Sequence, residues 1–338
     1  MNQSHPDVEI YLADNNSENN EGKILAEKFK SVDNIIFIQF NQNHGFTKAH
    51  NLIYDQYIAG ANYKYLLLLN NDAFAEHRWI ENIIQTADRD CASIVSSKMI
   101  NFFSPDKMDN AGHMLLNTGE ILPIGKDESI DKFNTIFENF GACGGACLYK
   151  VSMLKEIGFF DSYFNNGYED VELGMRAKLF GHKCLYEPSA IVHHKMSQSI
   201  NRIKDQKYIE YIQKSIFYSY LKNMPLLILL LNLPLIVVKY TLVLLFNLFF
   251  LRFNFIKSLL NSIVNILREI GFIYRKRKKL FGLNPKYQSL DLIKSMHFFL
   301  GVDLKRAAHV FQSKYNTSFL FLIIFYTRLR KLLASFLP

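Results

Sequence analysis

Short apolar runs alternate with helix-like segments through the first hundred residues, and this rhythm restricts the possible fold more than any other feature. The predicted strands cover residues 8–13, 35–40, 65–69 and 93–95, and the predicted helices cover residues 23–29, 47–59 and 78–87. The run at residues 65–69 is apolar throughout, as in a parallel strand that is buried on both faces. The sequence therefore predicts an α/β fold in which helices cover both faces of a mostly parallel sheet.

Beyond residue 100 the pattern weakens. Residues 100–140 contain scattered Gly and Pro, which predicts a long excursion over the surface of the kind that often forms a substrate loop. Structure is expected to resume as strands at residues 145–149, 183–186 and 190–192 and as helices at residues 152–157 and 169–180.

The charge is divided unevenly along the chain. Residues 1–200 hold 17 Lys and Arg against 26 Asp and Glu, a net −9, whereas residues 201–338 hold 22 against 5, a net +17. This division predicts an acidic front domain over residues 1–200 and a basic rear region over residues 201–338 that meets an anionic partner. The basic cluster at residues 275–279 has no accompanying nucleic-acid motif, so membrane lipids are the expected partner and nucleic acid is not.

The rear region contains an apolar run, residues 226–251, that is long enough for one membrane span. Lys239 lies in its middle and both flanks are basic, which disfavours a single span. Helices in the membrane interface, or an even number of crossings with a second dip at residues 319–325, fit better. The alternative is a buried helical subdomain.

The cysteines predict no metal knuckle and no disulfide framework. Cys143 and Cys147 lie in a Gly- and Ala-rich segment and are expected to be small buried thiols. The first twenty residues are polar and lack the apolar core of a secretory signal, so the front domain is expected in the cytosol.

Acidic and histidine side chains fall where an α/β sheet places its ligands. Asp14 and Asp72 each follow a predicted strand, and ligands collect at the carboxyl ends of such strands. Glu169 and Asp170 open a predicted helix, where the helix dipole favours ionised carboxylates that can act as a general base.

Six short motifs follow one another in a consistent order. They are Ala13-Asp14-Asn15-Asn16-Ser17, Asn43-His44-Gly45-Phe46 with Asn51, Leu69-Asn70-Asn71-Asp72, the stretches at 145–148 and 158–161, Glu169-Asp170 with Leu173 and Arg176, and Tyr186-Glu187-Pro188 with Ala190 and His194. Together they resemble glycosyltransferase family 2, in its bacterial rhamnosyltransferase-like branch, over about residues 8–200. The resemblance implies a GT-A fold, the Rossmann-like architecture of nucleotide-diphospho-sugar transferases.

The resemblance also implies roles for individual residues. Asp170, with Glu169 as the second choice, is the expected base of an inverting single displacement. Asp72 and His194, with His193 as the near alternative, are the expected ligands of Mn²⁺ or Mg²⁺, which carboxylate and imidazole can hold. The residues expected to bind the nucleotide sugar are Asp14, Asn16, Asn43, Gly45, Asn51, Asn70, Asn71 and Arg176.

The expected reaction moves a sugar such as rhamnose from a UDP- or dTDP-sugar donor to a lipid-linked or polysaccharide acceptor at the cytoplasmic membrane face. Structural alternatives stay open for several of these residues. Asp14 can form a strand-end Asx turn, the histidines can make ordinary hydrogen bonds, and Arg176 can pair with Glu172 one helical turn earlier.

One departure from the family pattern bears on activity. Family members begin with a further strand and helix that are not visible ahead of Val8. This departure favours, as the alternative function, a non-catalytic relative that binds glycan precursors or partner enzymes at the membrane. A nucleotidyltransferase is disfavoured because no Gly-rich, basic loop follows the first predicted strand.

Overall fold

The computed structural model describes residues 3–18, 21–195, 206–286 and 289–299. In chain order the strands described are β1 (Ile10–Asp14), β2 (Ile35–Gln39), β3 (Tyr65–Leu69), β4 (Ala73–Ala75), β5 (Ile94–Asn101), β6 (Met108–Asn110), β7 (His113–Leu115), β8 (Ile121–Pro123), β9 (Phe137–Glu138), β10 (Ala146–Lys150) and β11 (Cys184–His194). The helices described are α1 (Glu21–Phe29), α2 (Gly45–Ile53), α3 (Trp79–Arg89), α4 (Val151–Ile157), α5 (Glu169–Leu179), α6 (Gln206–Asn223), α7 (Leu226–Phe249), α8 (Phe253–Arg268), α9 (Ile270–Phe281) and α10 (Ser289–Lys294). The predicted α/β class is confirmed.

The chain opens with a parallel βαβ unit. Strands β1 and β2 pair from Ile10 opposite Ile35 to Asp14 opposite Gln39, and α1 connects them. They form a separate two-stranded sheet. Tyr11 packs its ring against Tyr57 and shares a hydrogen bond of 2.9 Å with the hydroxyl of Tyr63.

The main sheet has the strand order β3-β10-β5-β11-β4, with β6 paired to β5 and β9 paired to β11. Only the β5–β11 pair in it is parallel, so the expected single, mostly parallel sheet is wrong. Strand β10 begins with Ala146 opposite Leu69, the last residue of β3. The chain therefore re-enters the sheet at the carboxyl end of β3 and must run in the opposite direction.

Residues 100–140 run over the surface only in part, although a surface excursion was expected for all of them. Strands β6 to β9 lie within them, and Met108, Ala111 and Leu115 are fully buried. Tyr186 of β11 packs with Met108 and Ala111, and the rear helices cover Leu115. The buried part of the segment therefore belongs to the hydrophobic core.

The last strand is longer than predicted. The two predicted strands at residues 183–186 and 190–192 form one strand, β11, whose register against β5 shifts between Glu187 and Ile191. A bulge of this kind lets the strand continue past an irregular point and redirects its side chains. The carboxyl end of β11 therefore carries His193 and His194.

The rear helices pack directly on the front. Leu115, Phe140 and Met175 of the front share one apolar cluster with Tyr220 of α6 and Ile228 of α7. The apolar run predicted at residues 226–251 forms α7, the one helix among the described residues long and apolar enough to cross a membrane. The predicted dip at residues 319–325 lies outside the described residues. All four cysteines are unpaired; Cys147 is buried as expected, whereas Cys143 is only partly buried.

Candidate active site

Asp72 and His194 come together at one end of the main sheet. Strand β4 starts just after Asp72 and pairs antiparallel with the end of β11, where Ala73 lies opposite His194. The amide of Lys195 also donates to the carbonyl of Asp72 at 2.9 Å. This pairing brings Asp72 Oδ1 to 3.3 Å from His194 Nε2. The sequence predicted that these two residues lie together.

His194 also contacts a second carboxylate. Its Nδ1 lies 2.7 Å from Asp109 Oδ2, and the ammonium of Lys126 lies 2.6 Å from the other oxygen of Asp109. Burial alone would lower the pKa of His194, but the hydrogen bond and charge of Asp109, together with Asp72, outweigh it and raise that pKa. Because two carboxylates surround one imidazole, the site favours positive charge.

The sequence-based prediction did not include Asp109. It lies on β6, within the segment that was expected to be a surface loop, and it is buried. The one available signal was an acidic residue between Met108 and Asn110, shortly before Gly112. Gly112 has φ +100, and a Cβ there would come within 2.0 Å of the Asn139 amide.

His193 points away from this group. Neighbouring residues of a strand face opposite sides of a sheet, and His193 Nε2 lies 3.0 Å from Glu76 Oε1 on the other side. The alternative metal ligand suggested by the sequence is therefore separated from Asp72, whereas His194 is not.

Asp170 is fixed at the start of α5. The chain enters this helix through two left-handed residues, Gly167 at φ +91 and Tyr168 at φ +79. One oxygen of Asp170 accepts from the amide of Gly144 at 2.7 Å, and the other accepts from the amide of Val171 at 2.7 Å. The carboxylate is therefore held in place by backbone donors at the positive end of a helix dipole.

Glu169 has a different environment from its neighbour. Its side chain is buried, and Thr47 Oγ1 lies 3.3 Å from Glu169 Oε2. Burial, and then the charge of Asp170, raise the pKa of Glu169 to about 8. Glu169 is therefore mostly protonated at neutral pH.

The segment from Cys143 to Gly145 joins the two halves of the site. The carbonyl of Gly145 accepts from the amide of Asn70 at 2.9 Å, while the amide of Gly144 donates to Asp170. Burial raises the pKa of the Cys143 thiol, and the charges of both Asp170 and Asp109 raise it further. Asp170 therefore contacts this segment through Gly144, and Asn70, two residues before Asp72, contacts it through Gly145.

The two glycines of this segment lie close to the site residues. A Cβ on Gly144 would lie 3.5 Å from Asp170, and a Cβ on Gly145 would lie 3.4 Å from Asn70 Nδ2 and 3.2 Å from the Met99 methyl group. Asn70 is half-buried beside Gly145, whereas Asn71 is exposed in the same turn.

The residues expected to contact the nucleotide lie around the end of β1. Asp14 is buried, and its carboxylate accepts from the amide of Ser17 at 3.1 Å and from the amide of Gln39 at 2.6 Å. Burial works to raise the pKa of Asp14, but these hydrogen bonds lower it overall. Asp14 thus forms the strand-end Asx turn that the sequence allowed, and Asn16 is exposed in that turn at φ 62.

The second nucleotide element packs against the first. Asn43 Oδ1 accepts from the amide of Gly45 at 2.8 Å and from the amide of Asn15 at 3.2 Å. Gly45 has φ +71, and a Cβ there would come within 2.2 Å of Asn165 Oδ1. Asn51 lies deeper, donating to the carbonyl of Phe160 at 2.9 Å.

Arg176 lies inside the protein. Its Nε donates to Glu172 at 2.9 Å, and its other nitrogens donate to the carbonyls of residues 157, 158 and 159. The side chain is 5% exposed. The i,i+4 pair with Glu172 is therefore present. The Arg176 guanidinium, which was predicted to bind the nucleotide sugar, directs its N–H donors to groups inside the protein.

The fit of a divalent cation rests on two side-chain atoms. Asp72 Oδ1 and His194 Nε2 are buried, face each other, and have no hydrogen-bond partner. The described residues contain no group of three or more His, Cys, Asp or Glu that could hold a metal. The chain can therefore offer two ligands here, which suits a cation that takes its other ligands from water and phosphate.

Comparisons with known proteins agree with the sequence motifs. Residues 1–158 match the sequence model of glycosyl transferase family 2, whereas no curated protein matches the chain. The family match and the α/β sheet with its helices confirm the predicted GT-A fold class for the front.

Solved structures with a similar fold include three glycosyltransferases. GalNAc-T7 with UDP, GalNAc and Mn²⁺ is 13% identical, with a TM-score of 0.47 over 64% of this chain and 45% of that chain. TarS of S. aureus with UDP is 17% identical, with a TM-score of 0.43 over 66% and 59%. The mannosyltransferase PcManGT of Pyrobaculum calidifontis with GDP-Man and Mn²⁺ is 11% identical, with a TM-score of 0.45 over 65% and 56%. The chain thus spans about half the length of each of these proteins.

Proposed function

Because residues 1–158 carry a glycosyl transferase family 2 domain, we propose that this protein is an inverting glycosyltransferase that works at the cytoplasmic face of a membrane. It takes a sugar, rhamnose being the sugar of the branch that its motifs resemble, from a UDP- or dTDP-linked donor. It passes that sugar to a lipid-linked or polysaccharide acceptor.

One observation supports the proposal: the short segment Cys143 to Gly145 is hydrogen-bonded to Asp170 through the amide of Gly144 and to Asn70, two residues before Asp72, through the carbonyl of Gly145, and Asp72 pairs with His194. Transfer from a diphosphate donor needs a base near the acceptor hydroxyl and positive charge near the departing diphosphate. The site supplies a fixed carboxylate on one side of this segment and a cation-favouring pair on the other.

Asp170 is the base in this scheme. Its carboxylate is half-buried and is held by the amides of Gly144 and Val171. Glu169, with its pKa raised to about 8, is mostly protonated at neutral pH and cannot accept a proton in that form. Asp170 takes the proton of the acceptor hydroxyl as that oxygen attacks the anomeric carbon from the side opposite the leaving diphosphate.

Asp72 and His194 would hold Mn²⁺ or Mg²⁺, with Asp109 orienting the imidazole through Nδ1. Such a cation supplies positive charge to the oxygens of the leaving diphosphate. Asp109 keeps the proton on Nδ1 and leaves Nε2 free to bind, which is how carboxylates commonly support histidine ligands.

Donor turnover in the Asp170→Asn variant tests the base. With Mn²⁺ and a panel of UDP- and dTDP-sugars, we expect turnover to fall by about 10²- to 10⁴-fold, the usual contribution of a general base. Calorimetry should show that nucleotide binding changes little, because Asp170 contacts the acceptor side. Asp131→Asn, at an exposed carboxylate in the segment between β8 and β9, is the matched control and should keep full turnover.

Unchanged turnover in Asp170→Asn would remove Asp170 from this role. Nucleotide sugar that binds to the wild-type chain without any turnover on a range of acceptors would instead favour the non-catalytic alternative.

A further inference from the structure

The polar and apolar sides of α7 are reversed relative to a helix of a soluble protein. Its polar residues Asn232, Lys239, Tyr240 and Asn247 recur about every two turns and are all buried. The residues exposed on the other side are apolar except for Thr241, and the large apolar ones are Leu226, Leu227, Leu230, Leu231, Leu233, Val237, Val238, Leu242, Leu245, Phe246, Leu248 and Phe249. An exposed apolar area of this length indicates a contact surface.

The next helix extends this surface. The exposed residues Phe253, Leu260, Val264 and Leu267 of α8 lie on one face, while Ser258 and Ser262 on the other face donate to backbone carbonyls of α6. The outward apolar side chains of α7 and α8 are called the rear apolar surface below.

The polar side of α7 is joined to the front domain by an ion pair. Lys239 Nζ lies 2.8 Å from Glu120 Oε1, and the side chains are 9% and 14% exposed. Asn232 donates to the hydroxyl of Tyr220 at 2.8 Å. Glu120 belongs to the turn between β7 and β8, and the amide of Ile121 at the start of β8 donates to the hydroxyl of Tyr168, two residues before Asp170, at 3.3 Å. The middle of α7 is therefore attached to the hairpin beside the candidate base.

This attachment determines how α7 can meet a bilayer. At about 36 Å, α7 is long enough to cross the hydrocarbon core. A crossing would place Lys239 near the bilayer centre. Either Glu120 and its hairpin would then enter the bilayer with Lys239, or the ion pair would break and leave both charges unpaired. Each outcome is costly in free energy. Lying in the plane of the membrane keeps the ion pair within the protein and turns only the apolar side chains to lipid.

The charges around the rear apolar surface indicate the lipid. The exposed basic side chains of this region are Arg252, Lys257, Arg268, Arg275, Lys278 and Lys279. The one acidic residue of α8 to α9, Glu269, pairs with Lys214 at 2.7 Å. Basic residues beside an in-plane apolar face favour anionic headgroups.

We propose that α7 and α8 lie in the plane of an anionic lipid surface, with the rear apolar surface in the acyl region and the β7–β8 hairpin holding the active site at the headgroups. This inference rests on the membrane location proposed above. It adds that no described helix crosses the bilayer and that the docked helix is fixed to the hairpin next to Asp170.

Depth measurements on the full chain test the proposal without using activity. In a Cys91→Ser background, which removes the exposed native thiol, a fluorophore is placed on Leu230→Cys, Val238→Cys or Leu245→Cys in vesicles containing phosphatidylglycerol. Quenching by lipids that carry nitroxides at different depths should give the same shallow depth for all three positions. A crossing helix would place Val238 about 12 Å deeper than Leu230 and about 10 Å deeper than Leu245, and that result would overturn the proposal.

Vesicle binding supplies the matched comparison. Leu230→Gln combined with Leu245→Gln should weaken binding by roughly tenfold or more, whereas Ile24→Gln, at an exposed residue of α1, should leave it unchanged. Binding should also weaken in high salt and on uncharged vesicles.

Bound protein whose labels escape lipid quenching would overturn the proposal, because another occupant, a second copy or residues 300–338, would then cover the surface. Equal loss of binding in the Ile24 variant would also overturn it. A chain with the expected depth profile but no sugar transfer would refute the proposed reaction and leave this surface standing.

Discussion

At the scale of single residues, burial separates two adjacent carboxylates of the candidate site. Asp170 is half-buried and accepts two backbone hydrogen bonds, while Glu169 is 4% exposed and its pKa is raised to about 8. A buried charge costs free energy unless it is paired. The proton on Glu169 therefore removes this cost, whereas Asp170 is the carboxylate that backbone donors hold in place.

This difference predicts a pH-dependent effect of Glu169→Gln. The unperturbed pKa of Glu is 4.5, so the folded wild type binds an extra proton between about pH 5 and about pH 8. The Glu169 contribution therefore makes wild-type stability fall as pH rises through this window. The variant lacks that contribution and should become the more stable of the two at alkaline pH, as measured by urea unfolding. Glu27→Gln, at an exposed residue of α1, should follow the wild type; parallel curves for Glu169→Gln and wild type would contradict the assignment.

Asp109 provides a second prediction at this scale. Because it accepts from His194 Nδ1 at 2.7 Å, it fixes the tautomer that leaves Nε2 facing Asp72. Asp109→Asn should lower Mn²⁺ affinity in the presence of UDP by about 10- to 100-fold, as measured by electron paramagnetic resonance of free Mn²⁺. Asp106→Asn, at an exposed carboxylate nearby, is the control. Equal affinities for wild type and Asp109→Asn would show that His194 needs no such support.

The sequence predicted these residues unevenly, for a physical reason. Asp72, Asp170 and His194 follow a strand, open a helix and end a strand, and such positions are visible in local patterns. Asp109 joins them only because β6 folds back against β5, a long-range pairing that no local pattern encodes. The inward side chain of Arg176 likewise depends on the carbonyls of residues 157–159 as well as on Glu172, so only one of its partners lay at a helical spacing.

At the scale of elements, α5 is held in place by a buried network of charges. Glu172 is fully buried between Arg176 at 2.9 Å and Lys222 of α6 at 2.7 Å. Lys222 also contacts Asp161, which lies 3.0 Å from Lys276 of α9. The charge of Lys222, followed by that of Lys276, offsets burial and lowers the pKa of Asp161 well below its usual value. The helix that carries Asp170 is thus fixed by an ion pair from α6, and Asp161 in the segment before it is fixed by ion pairs from α6 and α9.

Removing the central anion of this network should be costly. Glu172→Gln leaves Arg176 and Lys222 without their shared partner and should lower the free energy of unfolding by about 3–5 kcal/mol. Glu128→Gln, in a half-exposed i,i+4 pair with Lys132, should cost at most about 1 kcal/mol. Urea denaturation measures both. A loss of similar size in the two variants would mean that Glu172 is solvated in solution.

Strand direction shows where prediction from the sequence fails at this scale. The apolar stretch of β10 was located to within a residue, but its pattern is the same whichever way the strand runs. Its antiparallel direction follows from the path of residues 102–145, which leave β5 and return at the carboxyl end of β3. Those residues were expected to be loop because their apolar residues are spread over strands of two or three residues, too short to give a periodic signal.

At the scale of the whole molecule, the change in composition near residue 200 does not separate two cores. The sequence predicted a basic, apolar helical region in the rear from properties that are local, and α6 to α10 lie there. It could not show that Tyr218 of α6 would donate to Asp161 at 2.7 Å, or that Ile228 would pack beside Met175. The rear helices therefore stabilise the domain that carries the site as well as forming the proposed lipid contact.

A shared core predicts that front and rear unfold together. Trp79 is the only tryptophan of the chain, is buried on α3, and donates to Ser97 at 2.8 Å, so its fluorescence reports on the front sheet. Far-UV circular dichroism is dominated by helices, of which α6 to α9 are the longest set. In mild detergent the two signals should give one urea midpoint, as expected for a cooperative unit.

Tyr218→Phe, which removes one buried hydrogen bond to Asp161, should lower both midpoints together by an amount equivalent to about 1–3 kcal/mol. A shift in the dichroism midpoint alone would mean that the rear unfolds independently, and the ion pairs to α5 would then contribute little to the stability of the site.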